Sequence, residues 1–290
     1  RQMCIRDRLW IGTESGVYIY NLRTDKYVHL YSSKDDPYSL SDNAVYSLCE
    51  DREGGIWVGS YFGGVDYYPK SYTYFEKYYP KDGDNNLHGK RVREFCEDNK
   101  GILWIGTEDG GLNRFDPKTK TFSFFAPSFG FTNIHGLCMV GDKLWVGTFS
   151  KGLKIVDTNT GNILKTYQKN DSPRSLIDNS IFAICRTTTG DIYLGTMFGL
   201  LRYNEQTDDF DRIEELAGRF VYDIKEDSGG NLWLATYVNG AYCYNVSEKK
   251  WKNYVHNESN KESLPYDKVL SIFEDSHRQI WLTTQGGGFC

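Results

Sequence analysis

LWIGTEDGGLNRFDPKTKTF, residues Leu103 to Phe122, is the stretch on which the fold turns. An apolar run ends at a threonine, and two glycines follow a short polar step. A second apolar run then leads through a turn opened by Asp116 to an aromatic run. Taken alone, a glycine pair behind a strand could cradle a phosphate. That role needs a helix behind the glycines, with its N-terminus facing the anion. Here the next run alternates as a strand does.

The stretch is one copy of a repeat. Its first five residues recur as LWIGT (Leu9–Thr13), IWVGS (Ile56–Ser60), LWVGT (Leu144–Thr148), IYLGT (Ile192–Thr196), LWLAT (Leu232–Thr236) and IWLTT (Ile280–Thr284). The anchors are Trp10, Trp57, Trp104, Trp145, Tyr193, Trp233 and Trp281, spaced by 47, 47, 41, 48, 40 and 48 residues. Each repeat reads as four short strands. The first precedes the anchor, as in VYSLCED (Val45–Asp51) or VREFCED (Val92–Asp98), and the second carries it. The third follows a glycine turn (Gly63–Gly64, Gly110–Gly111, Gly152, Gly199, Gly240, Gly287–Gly288), where a residue with φ > 0 is convenient. The fourth is aromatic and follows an Asn- or Asp-opened turn. Four antiparallel strands every 40 to 48 residues predict an all-β chain, a β-propeller of about seven four-stranded blades. The anchor ring is expected to wedge between neighbouring blades. Only Arg212–Leu216 departs from strand-and-turn patterning.

The domain expectation is one propeller over residues 9–290, with incomplete first and last blades, as a fragment of a longer protein. Arg1–Arg8 (RQMCIRDR) stands where a first strand ending E-D-x-x-G belongs. It reads as a non-native or disordered leader, from an expression vector or a translated sequencing adapter.

Composition narrows the chemistry. The net charge is −5 without a basic patch, which argues against nucleic acid. No apolar run is long enough to span a bilayer. Seven cysteines include no C-x-x-C pair, and repeat positions lie too far apart for disulfides, so they read as small buried hydrophobes. No H-E-x-x-H, G-x-S-x-G, P-loop or dinucleotide fingerprint is present. The five histidines are scattered, so neither metal nor cofactor is expected. The pairs Glu50–Asp51, Glu97–Asp98, Glu226–Asp227 and Glu274–Asp275 resemble catalytic carboxylates, but they recur before a tight turn and read as turn-formers.

The pattern S-L-S-D-N-x-V…E-D-x-x-G-x-L-W-I-G-T-x-x-G-G-L-x-x-F/Y-D-x-x-T closely resembles the two-component regulator propeller repeat. Its best copies are Ser39–Gly64, Glu97–Thr119, Ser175–Gly199 and Ser263–Thr284, and the resemblance covers nearly all of Leu9–Phe289. It implies the periplasmic sensor region of a Bacteroidetes-type hybrid two-component system. In those systems propellers precede a β-sandwich, a membrane helix, a histidine kinase and a response regulator. The implied ligand is an oligosaccharide and the implied output is transcription of a glycan-utilisation locus. The implied partners are a second propeller and the β-sandwich domain of the same chain, with a homodimer as an option and contact with the membrane only through a helix outside this region. This region would not be an enzyme. The competing expectations are a propeller lyase or glycoside-cleaving enzyme, and a protein-binding scaffold.

Blade geometry locates the candidate site. The connection into the first strand and the turn leaving the second share one face near the axis. Fourteen residues before the anchor stand Asn43, Lys90, Asn179, Arg219 and Asp267, joined by Thr132 after one deletion. Four residues after it stand Glu14, Tyr61, Glu108, Phe149, Met197, Tyr237 and Gln285. Rings that stack on sugar C–H faces, mixed with fixed hydrogen-bonding groups, suit carbohydrate. Lys90, Arg91, Arg93, Lys151 and Arg219 suit a carboxylate or sulfate. Arg91 and Arg93 stand out because other repeats are read as placing small or apolar residues there. The candidate ligand-binding set is Tyr61, Lys90, Arg91, Arg93, Glu108, His135, Phe149, Lys151, Asn179, Arg219, Tyr237 and Asp267.

Overall fold

The computed structural model describes residues 2–5, 7–36, 38–70, 78–80, 83, 85–124 and 132–290. Among them are 26 strands in seven antiparallel sheets, and a single turn of 3-10 helix at Glu214–Leu216, the place where the strand pattern lapses. The chain divides into two compact units, Arg1–Asp82 and Gly83–Cys290.

The first unit holds β1 (Gln2–Ile5), β2 (Arg8–Thr13), β3 (Gly16–Asn21) and β4 (Lys26–Leu30) in one sheet. A second sheet holds β5 (Val45–Glu50), β6 (Ile56–Ser60) and β7 (Val65–Tyr68). Within the octapeptide Arg1–Arg8, Gln2–Ile5 pair with β2 and take the place of a first strand. Residues 71–77, where the fourth strand of the second repeat is expected, lie outside the described residues.

The second unit holds five sheets in chain order. They are β8 (Val92–Glu97) to β11 (Thr121–Phe124), through β9 (Leu103–Thr107) and β10 (Gly111–Asp116); then β12 (Ile134–Val140), β13 (Lys143–Thr148), β14 (Leu153–Asp157) and β15 (Ile163–Tyr167). Next come β16 (Ile181–Arg186), β17 (Ile192–Thr196), β18 (Gly199–Asn204) and β19 (Asp209–Ile213), followed by β20 (Val221–Glu226), β21 (Leu232–Thr236), β22 (Ala241–Asn245) and β23 (Lys250–Tyr254). The last sheet has β24 (Val269–Glu274), β25 (Ile280–Thr284) and β26 (Gly288–Phe289). The first strands β8, β12, β16, β20 and β24 lie side by side in that order, as the inner strands of blades do.

The core is a series of inter-sheet layers. Trp104, fully buried, packs with Leu112 of its own sheet and with Ile134, Leu137 and Leu144 of the next. Trp145 packs likewise with Leu176, Ile181 and Leu194. The glycine of the L-W-I-G-T motif belongs to these layers. A Cβ on Gly106 would stand 2.6 Å from Ile134 Cγ2, and one on Gly147 2.8 Å from Ile181 Cγ2. The β-branched residues that open β5, β12, β16 and β20 thus each sit on the glycine of the preceding sheet.

The E-D pairs are structural, as their recurrence implies. Asp98 accepts from the Trp104 indole N–H at 3.1 Å and from the amides of Lys100 and Ile102. Asp51, Asp227 and Asp275 hold Trp57, Trp233 and Trp281 in the same way at 2.9–3.0 Å. The repeat with Tyr193 for Trp, which has no indole N–H, has Thr187 in place of the Asp. The Glu reaches sideways: Glu226 accepts from the Thr188 amide at 2.6 Å and Glu274 from the Ser228 amide at 2.7 Å, each on the preceding sheet's hairpin. Among the described residues no disulfide forms. Cys96, Cys138 and Cys185 lie half-buried against these layers, Cys243 is buried, and Cys49 and Cys290 are exposed, against expectation. Burial pushes the Cys138 thiol up to about 12.

Candidate functional site

The sequence of every first strand from β5 onward contains one residue too many for its ladder. In β12, Ile134 faces Thr148 and Gly136 faces Gly147, which leaves His135 without a partner position. The same bulge sets aside Tyr46, Arg93, Phe182, Tyr222 and Leu270. A bulge re-aims a side chain out of the pleat. Five of these six are large rings or a guanidinium. The reading that other repeats carry small or apolar groups in the Arg93 column is therefore incorrect: the column holds Tyr46, His135, Phe182, Tyr222 and Leu270.

A second recurring contact brings the column after the anchor alongside. The amide of Glu108 donates to the Arg91 carbonyl, that of Phe149 to Asn133, that of Tyr237 to Phe220 and that of Gln285 to Lys268, at 2.9–3.0 Å. Each post-anchor side chain is thereby pinned beside the loop entering its first strand.

In the second unit the result is a continuous ring cluster. His135 lies 4.6 Å from Phe182 and 5.8 Å from Phe149. Phe182 lies 4.5 Å from Phe220 and 5.8 Å from Tyr222, and Phe220 lies 5.1 Å from Tyr237. Charges sit at both ends. The Arg93 guanidinium, from β8, lies 4.6 Å over the Tyr222 ring of β20, and 3.9 Å from the Glu108 carboxylate. Lys268 donates to the Tyr237 hydroxyl and lies 3.6 Å from its ring centre. Arg93, Glu108, His135, Phe149 and Tyr237 of the sequence-based set meet here.

His135 is the unusual member. It is 7% exposed, and both ring nitrogens are buried without a hydrogen-bond partner. Burial holds its pKa well below the usual imidazole range, at about 4, and the nearby Arg93 charge adds to the effect. Asn133 Oδ1, two residues earlier, is also buried and unpartnered. Native proteins leave few such atoms without protein or water. Next to Arg93 in β8, burial raises the Glu94 carboxyl. The Phe95 amide opposes that shift, followed by the Lys225 charge.

Other members of the set have different neighbours. The Asn179 carboxamide accepts from the Lys169 amide at 2.7 Å and the Asp267 carboxylate from the His256 amide at 2.6 Å, contacts that hold incoming loops. The amides of Lys90 and Arg91 donate to Asp109, whose carboxyl they hold below its usual range, while their own side chains are exposed. Arg219 is exposed, and Lys151 donates to Thr132 at 3.3 Å. In the first unit, Tyr61 lies 5.0 Å from Tyr46 and 4.2 Å from Phe62. Phe182, Phe220, Tyr222 and Lys268 are absent from the sequence-based set. The signal for Phe182 and Tyr222 was a large side chain directly after the opening β-branched residue, whereas Phe220 and Lys268 stand directly before it.

A cleft of about 1060 Å³ lies at the hairpin end, between β12–β15 and β16–β19, lined by residues that include Trp145, Lys165, Tyr167 and Tyr203. Two of its carboxylates are already engaged. Asp208 accepts from Lys165, Tyr167 and Tyr203, and Asp211 pairs with Arg174 and Arg202. The ring cluster, with its unpartnered imidazole, is the stronger candidate.

Comparison with known proteins places this geometry. Residues 39–62, 86–109 and 215–238 match the two-component regulator propeller, and each match runs from the loop before the first strand through the post-anchor column. A curated relative, histidine kinase P4 of Formosa agariphila, is 28% identical over 151 residues, 52% of this chain and 8% of that protein. The extracellular domain of a putative hybrid two-component system from B. thetaiotaomicron matches with a TM-score of 0.61 at 22% identity, over 99% of this chain and 39% of that one. Virginiamycin B lyase from Staphylococcus aureus matches with a TM-score of 0.53 at 13% identity, over 99% and 92%. The fold is shared with sensors and with an enzyme, and the chain spans a minor part of the two sensor-type relatives. Three stretches of the chain thus match the two-component regulator propeller repeat.

Proposed function

We propose that this chain is a ligand-sensing propeller from the extracytoplasmic, periplasmic part of a hybrid two-component sensor kinase. It binds an oligosaccharide on the ring cluster, and domains outside this chain carry the signal to a kinase and a transcriptional output. The observation that carries the reading is the cluster itself: rings from three consecutive inner strands, with an unpartnered imidazole among them and cations at each end. Such a surface offers stacking for sugar C–H faces and unmet hydrogen-bonding capacity for hydroxyls. The repeat match and the sensor-type relatives support the same reading. Among the described residues no helix is long and apolar enough to cross a membrane.

The test is a thermal-shift screen of the chain against neutral, acidic and sulfated oligosaccharides. A binder of the native state raises the melting temperature. The expected shift disappears in the double variant Phe182→Ala, Tyr222→Ala. A shift that survives it moves the site elsewhere. No shift with any glycan removes the reading.

A further inference from the structure

We infer that the ring cluster is a subsite for a uronic acid residue, with Arg93 taking its carboxylate and His135 and Asn133 reading adjacent hydroxyls. This rests on the oligosaccharide reading and narrows it to one sugar class.

Two independent features lead there. The first is the set of unmet polar atoms. Both nitrogens of His135 and the Asn133 carboxamide oxygen are buried without partners. Phe149 and Phe182, the rings against His135, cannot supply them. A neutral imidazole has one donor and one acceptor. A sugar hydroxyl both donates and accepts, so neighbouring hydroxyls complement that pair and the amide oxygen. An anionic group at this point would leave the acceptor nitrogen and the amide oxygen facing negative charge.

The second feature is Arg93. The bulge in β8 takes it out of the ladder, and its guanidinium spans to the Tyr222 ring, which covers one face. A stacked guanidinium keeps its N–H edge for an in-plane acceptor. Its present acidic neighbour, Glu108, stands at 3.9 Å, beyond a good hydrogen bond. Asp223 is committed, its carboxylate accepting from the Ile272 and Ile224 amides. A planar carboxylate on a stacked sugar supplies the two-pronged partner that Arg93 lacks. Arg93 is near enough to His135 for its charge to disfavour the imidazolium, so charge recognition and hydroxyl recognition fall on one ligand unit.

The experiment is calorimetric titration of the chain with four probes: tetragalacturonate, a glucuronate tetramer, methyl-esterified tetragalacturonate and neutral cellotetraose. At least one free acid should bind, and the ester about tenfold or more weakly than its acid, because a charge-assisted pair is lost. Arg93→Gln should abolish the difference between acid and ester. His135→Phe should weaken acid and ester alike by about tenfold while leaving the melting temperature equal or higher, since two unpaired ring nitrogens are removed. A purely structural histidine would lower melting and leave affinity unchanged. The inference falls if neither acid binds, if acid and ester bind equally to the native chain, if the preference survives Arg93→Gln, or if His135→Phe keeps full affinity. If cellotetraose binds and the acids do not, the uronate assignment fails and the oligosaccharide reading stands. If none binds, the wider glycan panel decides that reading separately.

Discussion

At the hairpin end of the β8–β11 sheet, the buried Asp98 accepts from the Trp104 indole and from two backbone amides. At the opposite end of the same strand, Arg93 stands outside the ladder and leans on a ring three sheets away. Asp98 has donors fixed by the fold, so the same residue returns in repeat after repeat. Arg93 has no backbone partner to satisfy, and its column runs through Tyr, Arg, His, Phe, Tyr and Leu. The difference separates what the propeller requires from what a ligand can select.

The largest effect should come from cutting the fixed end. Asp98→Ala leaves a buried indole N–H and the Ile102 amide unpaired, and urea unfolding should show a loss of about 3 kcal/mol. Thr187→Ala, at the equivalent place beside Tyr193, removes hydroxyl contacts to Thr189 and Asp191 only and should cost about 1 kcal/mol. Equal losses would mean that the Asp–indole bond is not what makes this end repeat.

A pH titration distinguishes the two ends by window. His135 has its folded pKa held near 4, below the ordinary value of 6.5. The unfolded chain therefore takes up the proton first. Stability is full above about pH 6.5 and declines as pH falls toward 4, by on the order of 3 kcal/mol. His135→Phe should flatten that slope. At the other end, the Trp281 indole and then the Gln279 amide hold the Asp275 carboxyl below its usual 3.8. Its contribution is lost only at lower pH, as the carboxylate itself protonates. An unchanged slope between 6.5 and 4 in His135→Phe would show that another group titrates there.

Between the two ends runs the inter-sheet layer. Gly147→Ala would press a methyl to 2.8 Å from Ile181 Cγ2 and 3.0 Å from the Ile181 carbonyl oxygen. The expected loss is about 2 kcal/mol. Because the two residues touch, Ile181→Ala in the same chain should cost less than it does alone. Additive losses would place the strain elsewhere.

The fold was legible because its constraints repeat. Trp, Asp, Gly and Thr recur at fixed offsets, and each answers a contact made in several sheets: indole to carboxylate, next strand onto glycine, Thr hydroxyl onto the glycine-turn carbonyl, as in Thr148 to Gly152. The ring cluster was half legible. Spacing from the anchor found Glu108, Phe149 and Tyr237, since that column is pinned by a backbone bond. It missed Phe182 and Tyr222, which a bulge sets aside and which look in sequence like ordinary strand residues. It included Asn179 and Asp267, which are polar because incoming loops need an acceptor. Hydrogen-bonding character alone does not separate a loop clamp from a ligand contact, and only the partner atoms do.

The smallest effect sharpens the comparison most. Arg93→Gln removes a guanidinium stacked on Tyr222 and a loose contact to Glu108, and should change stability by under about 1 kcal/mol. The same strand would then tolerate little at Asp98 and nearly everything at Arg93, while ligand selectivity shows the reverse order. A loss at Arg93 comparable with that at Asp98 would make the guanidinium a strut across the inner strands. A recognition face on a repeat scaffold requires the other result: side chains aimed out of the ladder, where the choice of residue has little effect on folding and a large one on binding.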